Sequence, residues 1–152
     1  MCGIAGVAAL TGLDAEAMAP KLDAAVARLQ PRGPDANGTW HDARCAFGHT
    51  RLSVIDLSEA AGQPMAAHGL VGVYNGEIYN FAALRKELEA ANVSFTTRSD
   101  TEVLLAGWRH WGEDVLARLV GMFAFALWDA DAGCLILARD RFGQKPLLYA
   151  ED

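Results

Sequence analysis

The chain has 152 residues, enough for one domain and too few for two ordinary ones. Hydrophobic residues make up 52% and charged residues 21%, which excludes intrinsic disorder and predicts a packed core. Thirteen Lys+Arg against nineteen Asp+Glu give a net charge of −6, which argues against a nucleic-acid binder or a binder of anionic membranes.

In chain order, Cys2 to Ala9 reads as a buried strand. The apolar run Ile4 to Leu10 has no Lys or Arg before it, so it is not a secretory signal. Met18, Leu22, Val26 and Leu29 follow helical spacing, and Pro20 suits the first turn, so the helix is expected to start there and end before Pro31. Thr39–His41 and Cys45–Phe47 read as short strands around Asp42-Ala43, and Arg51–Leu57 and Leu70–Tyr74 are β-like. Asn80 is placed to cap a helix carrying Leu84 and Leu88 and closed by Asn92. Ser99-Asp100-Thr101-Glu102 fits a capping box ahead of Val103, Leu104, Leu105, Trp108 and Trp111. Val115, Leu116 and Leu119 predict a further short helix. Met122–Trp128 and Cys134–Ala138 flank the turn Asp129–Gly133 as a hairpin, and Pro146–Tyr149 is expected as a last strand. Strands lead, helices cluster in the middle and a hairpin follows, which is an α+β or layered order and not a βαβ repeat.

Few residues suggest chemistry. If Met1 is removed, Cys2 carries a thiol and an α-amine on one residue, and a neutral amine can take the proton of its own thiol. By position alone Cys2 reads as readily as a small buried strand residue. Tyr74-Asn75-Gly76-Glu77 is either a turn after a strand or an oxyanion hole built from the Asn75 amide and the Gly76 N–H. Arg51 and Asp100 could bind the carboxylate and ammonium of an α-amino acid; singly they read as a surface ion and a helix-dipole partner. His41, Cys45 and His49 sit four apart, but a strand–turn–strand segment need not bring them together, so no metal is expected. Three widely spaced cysteines, Cys2, Cys45 and Cys134, argue against a disulfide framework and for a cytoplasmic protein.

The order of the blocks is more specific than any one of them. Met1-Cys2-Gly3-Ile4-Ala5-Gly6 resembles the start of a class II glutamine amidotransferase domain. Arg32-Gly33-Pro34-Asp35, Arg51-Leu52-Ser53-Val54-Ile55-Asp56-Leu57, Tyr74-Asn75-Gly76-Glu77-Ile78-Tyr79-Asn80, Ser99-Asp100-Thr101-Glu102, the run Gly121–Asp129 and Ala138-Arg139-Asp140-Arg141-Phe142-Gly143 follow in that family's order. They resemble the glutaminase domain of glutamine-hydrolysing asparagine synthetases. Amidotransferases that act on other carboxylates share these blocks, and a non-catalytic glutamine-binding module stays open as an alternative.

The resemblance implies an α+β, four-layer αββα sandwich of two antiparallel sheets, the N-terminal-nucleophile hydrolase fold, lacking its last strands. It implies that residues 1–152 form the glutaminase domain, with the synthetase domain elsewhere. It implies Cys2 as nucleophile, Asn75 and Gly76 as the oxyanion hole, and Arg51, Leu52, Val54, Ile55, Glu77 and Asp100 as the glutamine pocket. No cofactor is implied for glutamine hydrolysis; ATP and Mg belong only to the synthetase domain. The implied partners are glutamine and a synthetase domain or subunit; an open edge on the second sheet would invite a second copy of the chain, and the net charge argues against nucleic acid and membrane.

Overall fold

The computed structural model describes residues 1–9 and 11–151; Leu10, in the apolar N-terminal run, and the terminal Asp152 lie outside them. Strands β1 (Gly3–Ala8), β2 (Ala36–His41) and β3 (Cys45–Arg51) form one antiparallel sheet in the order β1-β3-β2. Strands β4 (Met65–Ala67), β5 (Leu70–Ile78), β6 (Gly121–Asp129) and β7 (Cys134–Arg139) form a second, in sequence order. Helix α1 (Ala15–Leu29) covers the first sheet; α2 (Phe81–Ala90), α3 (Asp100–Trp111) and the short α4 (Val115–Arg118) lie on the helical side of the second. The α+β four-layer order is the one expected.

Alternation along β5 explains how one strand serves two cores. Val71 and Val73 face the first sheet, where they meet Cys45, Phe47, Ala126 and Trp128. Leu70, Tyr74 and Ile78 face the helices and pack with Leu84, Leu88, Leu104, Leu105, Phe125 and Leu127. Leu104 and Leu105 are fully buried, so truncating either to Ala should cost about 2–5 kcal/mol. Gly48 lets α1 approach β3 closely: a Cβ there would lie 2.5 Å from the Val26 side chain. A polar pin joins the sheets, with Trp128 Nε1 donating to the Asp42 carboxylate at 2.6 Å.

Several local expectations are corrected. Helix α1 starts at Ala15, not Pro20, because Asp14 caps it by accepting from the Ala17 N–H; Pro20 sits inside the helix. Of the β-like run Arg51–Leu57 only Arg51 belongs to a strand. Beyond it the backbone donors are diverted to side chains, Ser53 N–H to Asp35 and Ser58 N–H to Asp56, so residues 52–58 form a loop. Asn80 precedes α2, but its amide bonds to the Val120 N–H and the Arg118 carbonyl instead of capping the helix. Ser99 caps α3 through the Glu102 N–H, whereas the Glu102 carboxylate accepts from the amides and hydroxyls of Thr96 and Thr97, so the box closes on one side only. Pro146–Tyr149 joins neither sheet; Leu148 and Tyr149 are exposed. The 129–133 hairpin turn is as expected, with Gly133 at φ 62°.

His49 sits on β3 between the sheets, fully buried. Its Nε2 lies 3.2 Å from the Tyr74 carbonyl, so the neutral ring donates there, and Nδ1 has no partner among the described residues. Burial pushes its pKa down to about 4. The unfolded chain, with an ordinary histidine near 6.5, therefore binds more protons between about pH 4 and 6.5, and stability falls as pH drops through that window. The loss from this group is about 2 kcal/mol at pH 5. Thermal melts should show a decrease of several degrees from pH 7 to pH 5 that is reduced in His49→Gln, which keeps a donor for Tyr74 and cannot titrate.

Candidate active site

The N-terminus, the 52–58 loop, the C-terminal half of β5 and the start of α3 enclose a cavity of about 190 Å³. All nine residues singled out from the sequence line it: Cys2, Arg51, Leu52, Val54, Ile55, Asn75, Gly76, Glu77 and Asp100. Met1, Asp56, Ala61, Gln63, Tyr74, Ser99, Thr101, Met122 and Lys145 complete the wall.

Cys2 is half-buried, and its thiol faces the Leu52 carbonyl at 3.8 Å. The Arg32 Nε donates to the Cys2 carbonyl at 3.1 Å, and the Asp35 carboxylate accepts from the Ser53 N–H at 2.8 Å. The Arg32–Asp35 block thus braces the nucleophile candidate on one side and the loop over the cavity on the other.

Asn75 and Gly76 are not in a turn; they lie within strand β5. Asn75 shares the sheet-facing side of β5 with Val71, Val73 and Glu77 by period two. Gly76 pairs with Phe123 of β6, whose N–H and C=O both point the other way, to the Asp140 carboxylate and the Asp140 N–H. The pair is therefore of the non-hydrogen-bonded kind, and the Gly76 N–H points away from β6. Its neighbours on that edge have partners: the Tyr74 N–H donates to Gln63 Oε1 at 2.7 Å and the Ile78 N–H to the Asp100 carboxylate at 3.1 Å. Because β4 begins only at Met65, opposite Gly72, no strand pairs with this edge farther along β5, and the Gly76 N–H between them faces the cavity. A Cβ at Gly76 would meet the Met122 carbonyl and come within 2.7 Å of the Phe123 Cα, so close strand approach also demands glycine here.

Arg51 forks onto its own loop, donating to the Ser58 carbonyl at 2.9 Å and to the Asp56 carbonyl. Asp56 carries the brace further. Its carboxylate accepts from the Ser58 and Arg98 N–H groups, and hydrogen bonds from Ser58, then Arg98, hold its pKa at about 2. Asp100 is buried at the first turn of α3, where its carboxylate accepts from the Tyr74 hydroxyl at 2.8 Å and the Ile78 N–H. Burial raises its pKa, while those hydrogen bonds pull it back.

Sequence reasoning did not single out Gln63, which links β5 to α3 by accepting from the Tyr74 N–H and donating to the Thr101 hydroxyl. Its one signal in the sequence is its place between Gly62 and Pro64, two residues that mark a loop. Lys145 gave no signal. His41, Cys45 and His49 do not assemble a ligand set: among the described residues no group of three or more His, Cys, Asp or Glu could hold a metal ion. No helix among them is long and apolar enough to cross a membrane.

Residues 1–152 match a family model described as a glutamine amidotransferase domain. The chain is 44% identical over 155 residues to asparagine synthetase [glutamine-hydrolyzing] 1 of Bacillus subtilis, covering 98% of this chain and 24% of that protein. It is 45% identical over 168 residues to a putative asparagine synthetase [glutamine-hydrolyzing] of Mycobacterium bovis, covering 99% of this chain and 25% of that protein. The chain spans about a quarter of the length of these curated relatives. Among solved structures, the glutamine phosphoribosylpyrophosphate amidotransferase of B. subtilis, complexed with ADP and GMP, matches with a TM-score of 0.53 and 27% identity. That match covers 65% of this chain and 24% of the other.

Proposed function

The chain belongs to the glutamine amidotransferase domain family, and on that premise we propose that it hydrolyses the side-chain amide of glutamine through Cys2. The observation that carries this reading is the convergence of Cys2, Asn75 and the outward Gly76 N–H on one cavity that also holds Arg51 and Asp100. After removal of Met1, the Cys2 α-amine takes the thiol proton as sulfur attacks the glutamine amide carbon. The Asn75 amide and the Gly76 N–H stabilise the tetrahedral oxyanion. The carbon–nitrogen bond breaks, the proton passes to the leaving nitrogen, and ammonia departs. Water then attacks the γ-glutamyl thioester, the carbon–sulfur bond breaks and glutamate is released with the thiol restored.

Recognition of the amino-acid head falls to Arg51 for the carboxylate and to Asp100 with Glu77 for the ammonium. Leu52, Val54 and Ile55 form the loop wall. Arg51→Lys keeps the charge but loses the fork that holds both carbonyls and a carboxylate, so it should raise KM about tenfold or more. Asp100→Asn keeps an acceptor for Tyr74 and Ile78 while removing the charge, so it should raise KM and leave the melting temperature nearly unchanged. Steady-state kinetics beside thermal melts check both. Wild-type KM in both variants would move the pocket elsewhere.

The ammonia acceptor is proposed to be an asparagine-synthetase-type site outside residues 1–152, the chemistry that the relatives' names carry. ATP and Mg would act there and not at Cys2. Direct tests are glutamate release from glutamine by the purified chain, with intact mass reporting whether Met1 is gone, and asparagine formation once a synthetase domain is supplied in trans. A chain that lacks Met1, binds glutamine and releases no glutamate would be a binding module instead.

A further inference from the structure

The cavity holds a cation that this mechanism leaves without a role. Lys145 is 5% exposed and lines the same wall as Cys2. Among the described residues its ammonium has one hydrogen-bond partner, the Met1 sulfur at 3.0 Å, a weak acceptor for a group with three donors. Among the described residues no carboxylate lies within 4.0 Å of it. A buried, poorly paired charge is costly, so its position calls for an explanation.

The fold fixes that position. The buried Asp140 carboxylate accepts from the N–H groups of Phe123, Phe142, Gln144 and Lys145, at 3.0–3.1 Å. Gly143, at φ 63°, donates back to the Asp140 carbonyl. These bonds tie residues 140–145 into a tight turn against β6 and set Lys145 at the cavity wall. The same side chain that touches Lys145, that of Met1, is the one whose removal creates the Cys2 α-amine.

We propose that Lys145 is a positioning residue for proton transfer at Cys2: once Met1 is removed, its ammonium faces the new α-amine and holds that amine in its neutral, proton-accepting form. The inference rests on the reading of Cys2 as an N-terminal nucleophile. Two positive charges side by side in a partly desolvated site repel, and of the two the primary α-amine is the weaker base and stays neutral. The other charges facing Cys2 have work of their own. Arg32 donates to the Cys2 carbonyl, and Arg51 is forked onto the 52–58 loop. The Asp56 carboxylate accepts from Ser58 and Arg98, and that of Asp100 from Tyr74 and Ile78. Glu77, on β5, is the remaining carboxylate of the wall and is reserved for the substrate ammonium in the proposed pocket.

The test uses the 152-residue chain with Met1 absent by intact mass. The pH dependence of kcat/KM for glutamine is measured from pH 6 to 9.5 in the parent, Lys145→Met and Lys145→Arg. The expected result is an acid limb moved up by about one pH unit in Lys145→Met, a loss of about three- to fivefold at pH 7 that grows toward about tenfold at pH 6 and recovers at high pH. Lys145→Arg keeps the charge and should hold the parent limb. A second measurement needs no turnover. Competitive acetylation of the N-terminal amine by acetic anhydride, read by mass spectrometry in Cys2→Ala and Cys2→Ala/Lys145→Met, should show the same upward shift. Superimposed profiles or acetylation curves, or a loss equal at every pH, would overturn the role of Lys145. Undiminished hydrolysis in Cys2→Ala would instead overturn the nucleophile reading on which it rests.

Discussion

Cys2→Ala should abolish glutamate release, by on the order of 10⁴–10⁶-fold, the range seen when a nucleophile of a catalytic unit is removed. Its effect on glutamine affinity should be within about threefold, because a thiol adds little ground-state binding next to a charged head group. The structure adds a reason to expect an intact fold: among the described residues the thiol has one hydrogen-bond partner, the Leu52 carbonyl at 3.8 Å, and it lies outside both cores. Calorimetric glutamine binding beside a glutamate-release assay separates the two effects. A glutamine analogue carrying an electrophilic carbon in place of the amide should label Cys2 alone. Cys45 is fully buried, and burial pushes its thiol up to about 12, so it is nearly inert at neutral pH. Cys134 is exposed, so its strand position does not protect it; it should escape the analogue only because it lies outside the cavity. A simple alkylating agent should therefore modify Cys2 and Cys134, and free glutamine should protect Cys2 only. Wild-type hydrolysis in Cys2→Ala would remove the nucleophile assignment.

Asn75→Ala should lower kcat by roughly 10²–10³ while moving KM much less, since an oxyanion donor acts only as charge develops. Two donors are proposed to serve the oxyanion, and they are not equally testable. The Asn75 side chain can be cut back at a position 4% exposed, leaving a small void on the sheet-facing side of β5. The Gly76 N–H is backbone, and Gly76→Ala would force its Cβ against Met122 and Phe123, so that variant mixes catalysis with strand displacement. Asn75→Asp is the sharper companion. It is nearly isosteric, but places an acceptor where a donor is needed, and should be at least as slow as Asn75→Ala; its carboxylate is buried here, so a lowered melting temperature is expected beside the loss of kcat. If Asn75→Ala raised KM and spared kcat, the side chain would be a substrate-binding group instead.

The sequence by itself determined the elements whose signals are local. The 129–133 hairpin was legible because an acidic turn and a positive-φ glycine separate two apolar runs. Helix α3 was legible because Ser99 caps it and its apolar residues keep helical spacing. The order of the short blocks pointed to the family, and through it to nine residues that the fold does bring to one cavity. Which groups at those positions remain free to act was decided only by tertiary structure, because hydrogen-bond partners come from distant segments. Asn75-Gly76 carries a turn signal yet runs as strand, since pairing with β6 outweighs local preference. The Gly76 N–H is open only because Phe123 turns its own polar groups to Asp140 and because β4 is too short to reach. Arg51–Leu57 has β character, but Asp35 and Asp56 take its backbone donors and make it a loop. Lys145 is one lysine among thirteen basic residues in the chain; it becomes part of the site because four N–H groups close on Asp140 and hold the turn that carries it there.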